Sequence, residues 1–122
     1  MAAALIYPER PVVSITGDGA FAMMVQELET VRRMKTAPLF VVLCDASLAV
    51  IKVAQQLRDL PPLGVDFMPV DWVKVAEGFG VRGEAVHTLG SVRIAVQDWL
   101  NNREPMVLAV TVDEALYTGL RY

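Results

Sequence analysis

The chain has 122 residues, of which 54% are apolar, and its 14 acidic against 11 basic residues give a net charge of −3 at neutral pH. That length provides one domain with one real core, no apolar run reaches the ~18–20 residues of a membrane-spanning helix, and the scattered basic residues exclude a nucleic-acid-binding face. The single cysteine, Cys44, rules out an internal disulfide and fits a reducing cytoplasm, while a mean hydropathy of +0.41 predicts a sheet core plus an interface with another domain or subunit.

The opening Met1 to Tyr7 has no basic region before its short apolar stretch and ends at Pro8-Glu9-Arg10. It reads as the last turns of a helix rather than a signal peptide, and so predicts a domain that starts upstream. Pro11 to Thr16 is a nearly continuous apolar run, as in a strand buried on both faces. From Ala20 to about Lys35 the spacing is helical, with Phe21, Met24, Leu28 and Val31 on one stripe and Arg32 and Arg33 in the last turn. Leu39 to Leu43 is a second buried strand. Ser47 is the expected N-cap of a helix through Val50, Val53, Ala54 and Leu57. Pro61 to Gly64 is irregular and Phe67 to Val70 extended. Asp71 caps a helix from Trp72 to Phe79, closed by Gly80. Glu84 to His87 is a short strand, Gly90-Ser91 lead a helix to Asn101-Asn102, and Met106 to Val112 is the last strand. Strand and helix alternate throughout, which predicts an α/β three-layer sandwich: a parallel sheet with helices on both faces, in a single domain over 1–122.

Two acidic residues stand at strand-to-helix turns, Asp18 in Thr16-Gly17-Asp18-Gly19-Ala20-Phe21 and Asp45 in Leu43-Cys44-Asp45-Ala46-Ser47. Open α/β sheets bind ligands at such turns. The two lie 27 positions apart, one strand-helix-strand unit, so on neighbouring parallel strands both carboxylates reach one edge of the sheet. Hard oxygen donors of this kind suit Mg²⁺ shared with a ligand's phosphates. Gly17 and Gly19 let backbone approach closely, and amides opening the two helices favour anions. Taken alone, GDG also occurs in ordinary turns, which leaves Asp18 open as a turn or cap residue. A dinucleotide fingerprint is disfavoured because Met23-Met24 stand where its third glycine belongs, and no P-loop sequence is present.

GDG followed after about two dozen residues by a pair usually written NN resembles the diphosphate-binding motif of thiamine-diphosphate-dependent enzymes. The likeness to the acetolactate synthase and benzoylformate decarboxylase branch runs through Pro8 to Phe21, Gln26-Glu27-Leu28-Glu29-Thr30, Val42-Leu43 with Ser47-Leu48, Asp71 to Ala76, and Pro105 to Leu108. It implies the C-terminal diphosphate-binding domain, truncated at its N-terminus and without the pyrimidine-binding and central domains. It further implies thiamine diphosphate and Mg²⁺ as cofactors, with Asp18, Asp45 and the carbonyl of Ser47 on the metal. Gly17, Gly19, Ala20, Leu48 and Ala49 would lie against the diphosphate. The partner implied is a pyrimidine-binding domain or subunit, within a homo-oligomer acting on 2-keto acids. The activating glutamate belongs to that partner, so no catalytic residue is expected in this chain and no turnover from it alone. The sequence departs from the pattern at Cys44-Asp45 in place of Asn-Asn, and at Ala46 and Ala49, where glycines are expected. Asp45 keeps an oxygen but adds negative charge beside a diphosphate, and the alanines crowd backbone that glycine adopts freely. These changes keep open a second reading, a decayed, non-catalytic module that associates through its apolar surface, and a third, an unrelated Mg²⁺-dependent phosphate-binding domain. The acid some decarboxylases carry six positions after the second metal ligand is here Ile51. His87, Cys44, Trp72 and Trp99 read as structural residues.

Overall fold

The computed structural model describes residues 2–113; Met1 and 114–122 lie outside the described residues. Four strands, β1 (Val13–Gly17), β2 (Leu39–Cys44), β3 (Arg82–Val86) and β4 (Met106–Thr111), form one sheet in the order β1-β2-β4-β3. Every pairing is parallel, with Gly17 opposite Leu43 and Leu43 opposite Val110. The central strands β2 and β4 carry the apolar runs that burial on both faces requires.

Helices α2 (Asp18–Met24), α3 (Glu27–Arg33) and α5 (Trp72–Gly78) cover one face. There Phe21, Leu28, Val31, Trp72 and Ala76 pack on Phe40, Val42 and Val107, and the Phe21 ring meets Trp72 edge-on at 5.2 Å. On the opposite face, α6 (Leu89–Asn102) places Ala95 and Trp99 over Leu39, Val86, Met106 and Leu108. The buried Trp99 indole N–H donates to the Glu104 carbonyl at 2.9 Å. The arrangement is the expected sandwich. Its second face is only partly covered, because α6 packs on β3 and β4 and leaves Ile15 of β1 70% exposed. The opening residues form α1 (Ala2–Ile6), and α4 (Ala49–Gln56) follows β2.

Several boundaries differ from expectation, and β1, which the sequence predicts to be buried on both faces, starts only at Val13 and contains no buried residue. The helix predicted from Ala20 to Lys35 is two helices, since Leu28 and Glu29 donate to carbonyls three residues back, those of Val25 and Gln26. Val25 and Gln26 keep right-handed helical dihedrals, so the tightened turn preserves the single apolar stripe. The third strand begins at Arg82 and ends before His87. Gly83 hides that start from propensity, yet the position needs glycine: an added Cβ would stand 2.8 Å from Val73 Cα and 2.9 Å from its carbonyl oxygen. The last long helix starts at Leu89, because Thr88 and Ser91 cap each other's backbone amides. Asp71 caps α5 as expected, accepting from the Lys74 N–H at 3.1 Å.

Gly83→Ala is therefore expected to destabilise the domain by about 1–3 kcal/mol, the cost of overpacking against backbone. Gly17→Ala, with φ −73° and nothing within 4 Å of the new methyl, is expected to stay within about 0.5 kcal/mol of wild type. Urea unfolding of both variants checks the contrast.

Candidate functional site

The sheet presents both acidic turns at its carboxyl edge because β1 and β2 are hydrogen-bonded neighbours. Asp18 is the first residue of α2, immediately after β1 ends at Gly17, and it is 3% exposed. Its Oδ1 accepts the Gly19 N–H at 2.8 Å, and its Oδ2 accepts the Ala46 N–H at 2.9 Å. The second bond joins the two turns directly. Asp45 is held within its own turn, its Oδ1 accepting the Ser47 N–H at 2.9 Å and the Ser47 hydroxyl at 3.2 Å.

Ser47 is thus not the N-cap of α4. Leu48 occupies that position without a side-chain cap bond, and the buried Ser47 hydroxyl turns back to Asp45. The hydroxyl instead donates to the carboxylate two residues upstream, a local bond formed in place of a helix cap. Ala46 takes a left-handed φ of +57°, a conformation glycine adopts at lower cost. Ala49 is the first helical residue of α4 and has no such strain. Gly19 faces the Leu48 side chain: an added Cβ would stand 2.6 Å from Leu48 Cδ2, which would have to turn away.

All eight residues singled out from sequence, Gly17, Asp18, Gly19, Ala20, Asp45, Ser47, Leu48 and Ala49, border one cleft of about 340 Å³. Met23, Val50 and Ile51 form an apolar wall that the sequence reading did not include. Met23 and Ile51 carried a signal in the sequence, as large apolar residues off their helices' apolar stripes; Val50 lies on the stripe, and only the structure shows that all three are more than half exposed. On the other side of Asp18 and Asp45, a second cleft of about 390 Å³ is bordered by Asp71, Trp72 and Thr111. His87 lies apart from the acidic pair and shares a 2.9 Å hydrogen bond with the Thr111 hydroxyl.

Burial pushes the Asp18 carboxyl above its ordinary value, and the charge of Asp45 adds to the rise; the amides of Ala46 and Gly19 oppose it. Neither carboxylate has an ion-pair partner among the described residues. The Cys44 thiol is pushed up to about 11, by burial first and by the nearby Asp18 charge second, and it donates to the Val42 carbonyl at 3.3 Å. It is a neutral core group, not a thiolate ligand. Among the described residues no group of three or more His, Cys, Asp and Glu side chains gathers to hold a metal. The donor chemistry present is two carboxylates and backbone carbonyls. That set fits an ion which completes its shell with water and phosphate oxygens, as Mg²⁺ does, and does not fit a closed all-protein site.

A parallel α/β domain with a carboxylate at the strand-to-helix turn of each of two adjacent strands belongs to the architectures that bind ligands at the carboxyl edge of the sheet. The sequence profile of the thiamine pyrophosphate enzyme C-terminal TPP-binding domain matches residues 1–110, and the chain belongs to that family. It is 33% identical over 109 residues to a catabolic acetolactate synthase of Raoultella terrigena, a match covering 89% of this chain. It is 32% identical to an acetolactate synthase of Bacillus subtilis over 91% of this chain. In each case it spans only 20% of the relative's length. Among solved structures, the Rhodococcus jostii RHA1 thiamine diphosphate-dependent 4-hydroxybenzoylformate decarboxylase superposes with a TM-score of 0.85 at 27% identity. That match covers 91% of this chain and 21% of the other.

Two outcomes follow from the site geometry. Ala46→Gly is expected to raise stability by about 1 kcal/mol, the relief at positive φ outweighing the added freedom of the unfolded chain; urea titration measures it. Because the folded carboxyl of Asp18 titrates above its unfolded value, its contribution to stability is fully present below the unfolded value and is lost as pH rises through the folded one. The stability advantage of wild type over Asp18→Ala should therefore shrink as pH rises from about 3.8 toward neutrality, read by thermal unfolding across that range.

Proposed function

We propose that this chain is the domain that holds the diphosphate and Mg²⁺ in an acetolactate synthase-like enzyme that decarboxylates 2-keto acids or joins their products. The observation that carries the reading is the gathering of all eight candidate residues on one cleft, with two carboxylates that no cationic side chain pairs with among the described residues. Asp18, Asp45 and the Ser47 carbonyl would hold the metal, and Gly17, Gly19, Ala20, Leu48 and Ala49 would face the diphosphate. When bound, the cofactor supplies a thiazolium that stabilises the carbanion left by decarboxylation.

The chain's own share is orientation and charge balance. Asp18 fixes the turn at Ala46 and presents a buried negative charge. Asp45 adds a second charge, which repels a diphosphate until a metal offsets it, so binding of metal and of cofactor is coupled. The partner proposed is a pyrimidine-binding domain or subunit that brings the activating acid, in a cytoplasmic homo-oligomer. The exposed Ile15 on β1 and the apolar wall of Met23, Val50 and Ile51 supply surface for such contacts. No described helix is long and apolar enough to cross a membrane. The decayed-module reading draws on the Leu48 side chain seated against Gly19 and on the strained Ala46, both of which would restrict a diphosphate's approach.

Calorimetric titration with thiamine diphosphate, with and without Mg²⁺, separates the two. Binding that requires Mg²⁺ and weakens by at least about 100-fold in Asp18→Ala is the expected result, since even outer-shell changes cost about 10–100-fold at metal sites. Asp45→Asn should retain binding with a weaker metal requirement. Absence of binding at every metal concentration, in a chain that melts cooperatively, overturns the proposal and leaves the decayed module.

A further inference from the structure

The turn that carries Asp45 and Ser47 has little of the core behind it. It leads into α4, which contains no buried residue and so is not anchored through a packed face. A segment from the long connection between α4 and α5 lies across it instead. Asp66 bridges antiparallel to Ser47, the Leu48 N–H donates to the Val65 carbonyl at 2.7 Å, and the Phe67 N–H donates to the Ala46 carbonyl at 3.0 Å. Every residue from Ala46 to Leu48 is thereby paired with this segment.

The segment is fixed at three further points. Val65 is buried, and its neighbour Gly64 turns at φ +69°. Gln55 of α4 holds Leu63 from both sides, its Nε2 donating to the carbonyl at 3.2 Å and its Oε1 accepting the N–H at 3.3 Å. Lys52, one turn into α4, pairs with Asp66 at 3.0 Å. The segment also reaches the first acidic turn, since Phe67 Cε1 lies 3.7 Å from where a Cβ on Gly19 would stand.

We propose that residues 63–67 are a strap that positions the ligand-holding turn, and that Asp66, through Lys52, is the positioning residue that keeps the strap seated. The inference rests on the reading of Asp45 and Ser47 as metal ligands. A metal ligand contributes in proportion to how well its geometry is held before binding, and the Asp45 turn is held from one side by Asp18 and from the other by this strap. The Lys52–Asp66 pair is suited to testing. Lys52 is 19% and Asp66 62% exposed in their side chains, so severing the pair removes a local clamp and leaves the core intact.

The experiment uses the whole chain as wild type, Asp66→Asn, Lys52→Met and the charge-swapped double variant K52D/D66K. Affinity for Mg²⁺ with thiamine diphosphate is read by calorimetry, the unfolding midpoint by circular dichroism, and amide hydrogen exchange at Leu48 and Phe67 by NMR. The expected result is binding weakened roughly 5- to 20-fold in each single variant and restored to within about threefold by the swap. Exchange at Leu48 and Phe67 should accelerate while Phe40 and Val107 in the core remain protected. Unchanged affinity and exchange in the single variants overturn the strap, as does a loss that tracks the unfolding midpoint with core amides exchanging in parallel. If wild type binds no cofactor, the metal-site reading has failed separately. Exchange then still decides whether Asp66 holds the strap: acceleration confined to Leu48 and Phe67 supports it, and no change overturns it.

Discussion

The carboxylate of Asp18 reaches in two directions, to the amide beside it at Gly19 and across the sheet edge to Ala46, 28 positions away. Hydrogen bonds to a charged acceptor contribute roughly 1.5–3 kcal/mol each. Removing that charge from water costs several kcal/mol. The two effects nearly balance, and the upward shift of the carboxyl shows that desolvation wins. Near neutral pH Asp18 therefore does little for stability; its contribution there is register. With the Ala46 amide fixed to its Oδ2, the turns after β1 and β2 cannot move independently, and every candidate residue of the cleft lies on one of them.

The unequal covering of the sheet follows from where the apolar residues fall. On the face shared by α2, α3 and α5, two aromatic contacts to Phe21 join β2 to α5, and the glycine at 83 brings β3 against the Val73 backbone. The other face depends on α6 and Trp99. Alternation along β1 places Val13 and Ile15 on that face beside Leu39 and Val41, beyond the reach of α6. α4 likewise contains no buried residue, and its first turn, Ala49, Val50 and Ile51, borders the cleft. A mean hydropathy of +0.41 thus has a structural location: it lies around the carboxyl edge and along β1, not in an oversized interior.

Much of this was legible from local signals. The unbroken apolar runs of β2 and β4, the Asp71 cap and Gly80 at φ +71° each obey a rule that acts over a few residues. The proximity of Asp18 and Asp45 followed from topology, since a right-handed crossover between neighbouring strands returns both turns to one edge. What stayed hidden depends on contacts distant in sequence. Gly83 looked like a poor strand residue because Val73, which demands it, is ten positions earlier. Ser47 is the exception, a local competition: Asp45 two positions earlier offers its hydroxyl an acceptor, and the sequence does not decide between that bond and a helix cap. The strap over the second turn has no signature at all: Gly64 and the prolines before it announce irregular chain, and only the fold decides what that chain crosses.

The two departures from glycine in the second turn differ in consequence, and the difference bears on how the site works. Ala49 begins a helix, where alanine is favourable. Ala46 stands at positive φ, where alanine costs roughly 1–2 kcal/mol. That cost falls on the residue whose amide reaches Asp18, so strain and buried charge meet in one contact. Among the described residues no cationic side chain pairs with either turn's carboxylate; Arg33, Lys52, Lys74 and Arg82 pair instead with Glu29, Asp66, Asp71, Glu84, Asp98 and Glu104. A divalent cation bound at the carboxylates would favour the charged form of Asp18, opposing the burial and, secondarily, the Asp45 charge that raise it. The strain at Ala46 would remain. The protein-borne part of any such binding energy would therefore depend on how firmly the turn is clamped beforehand.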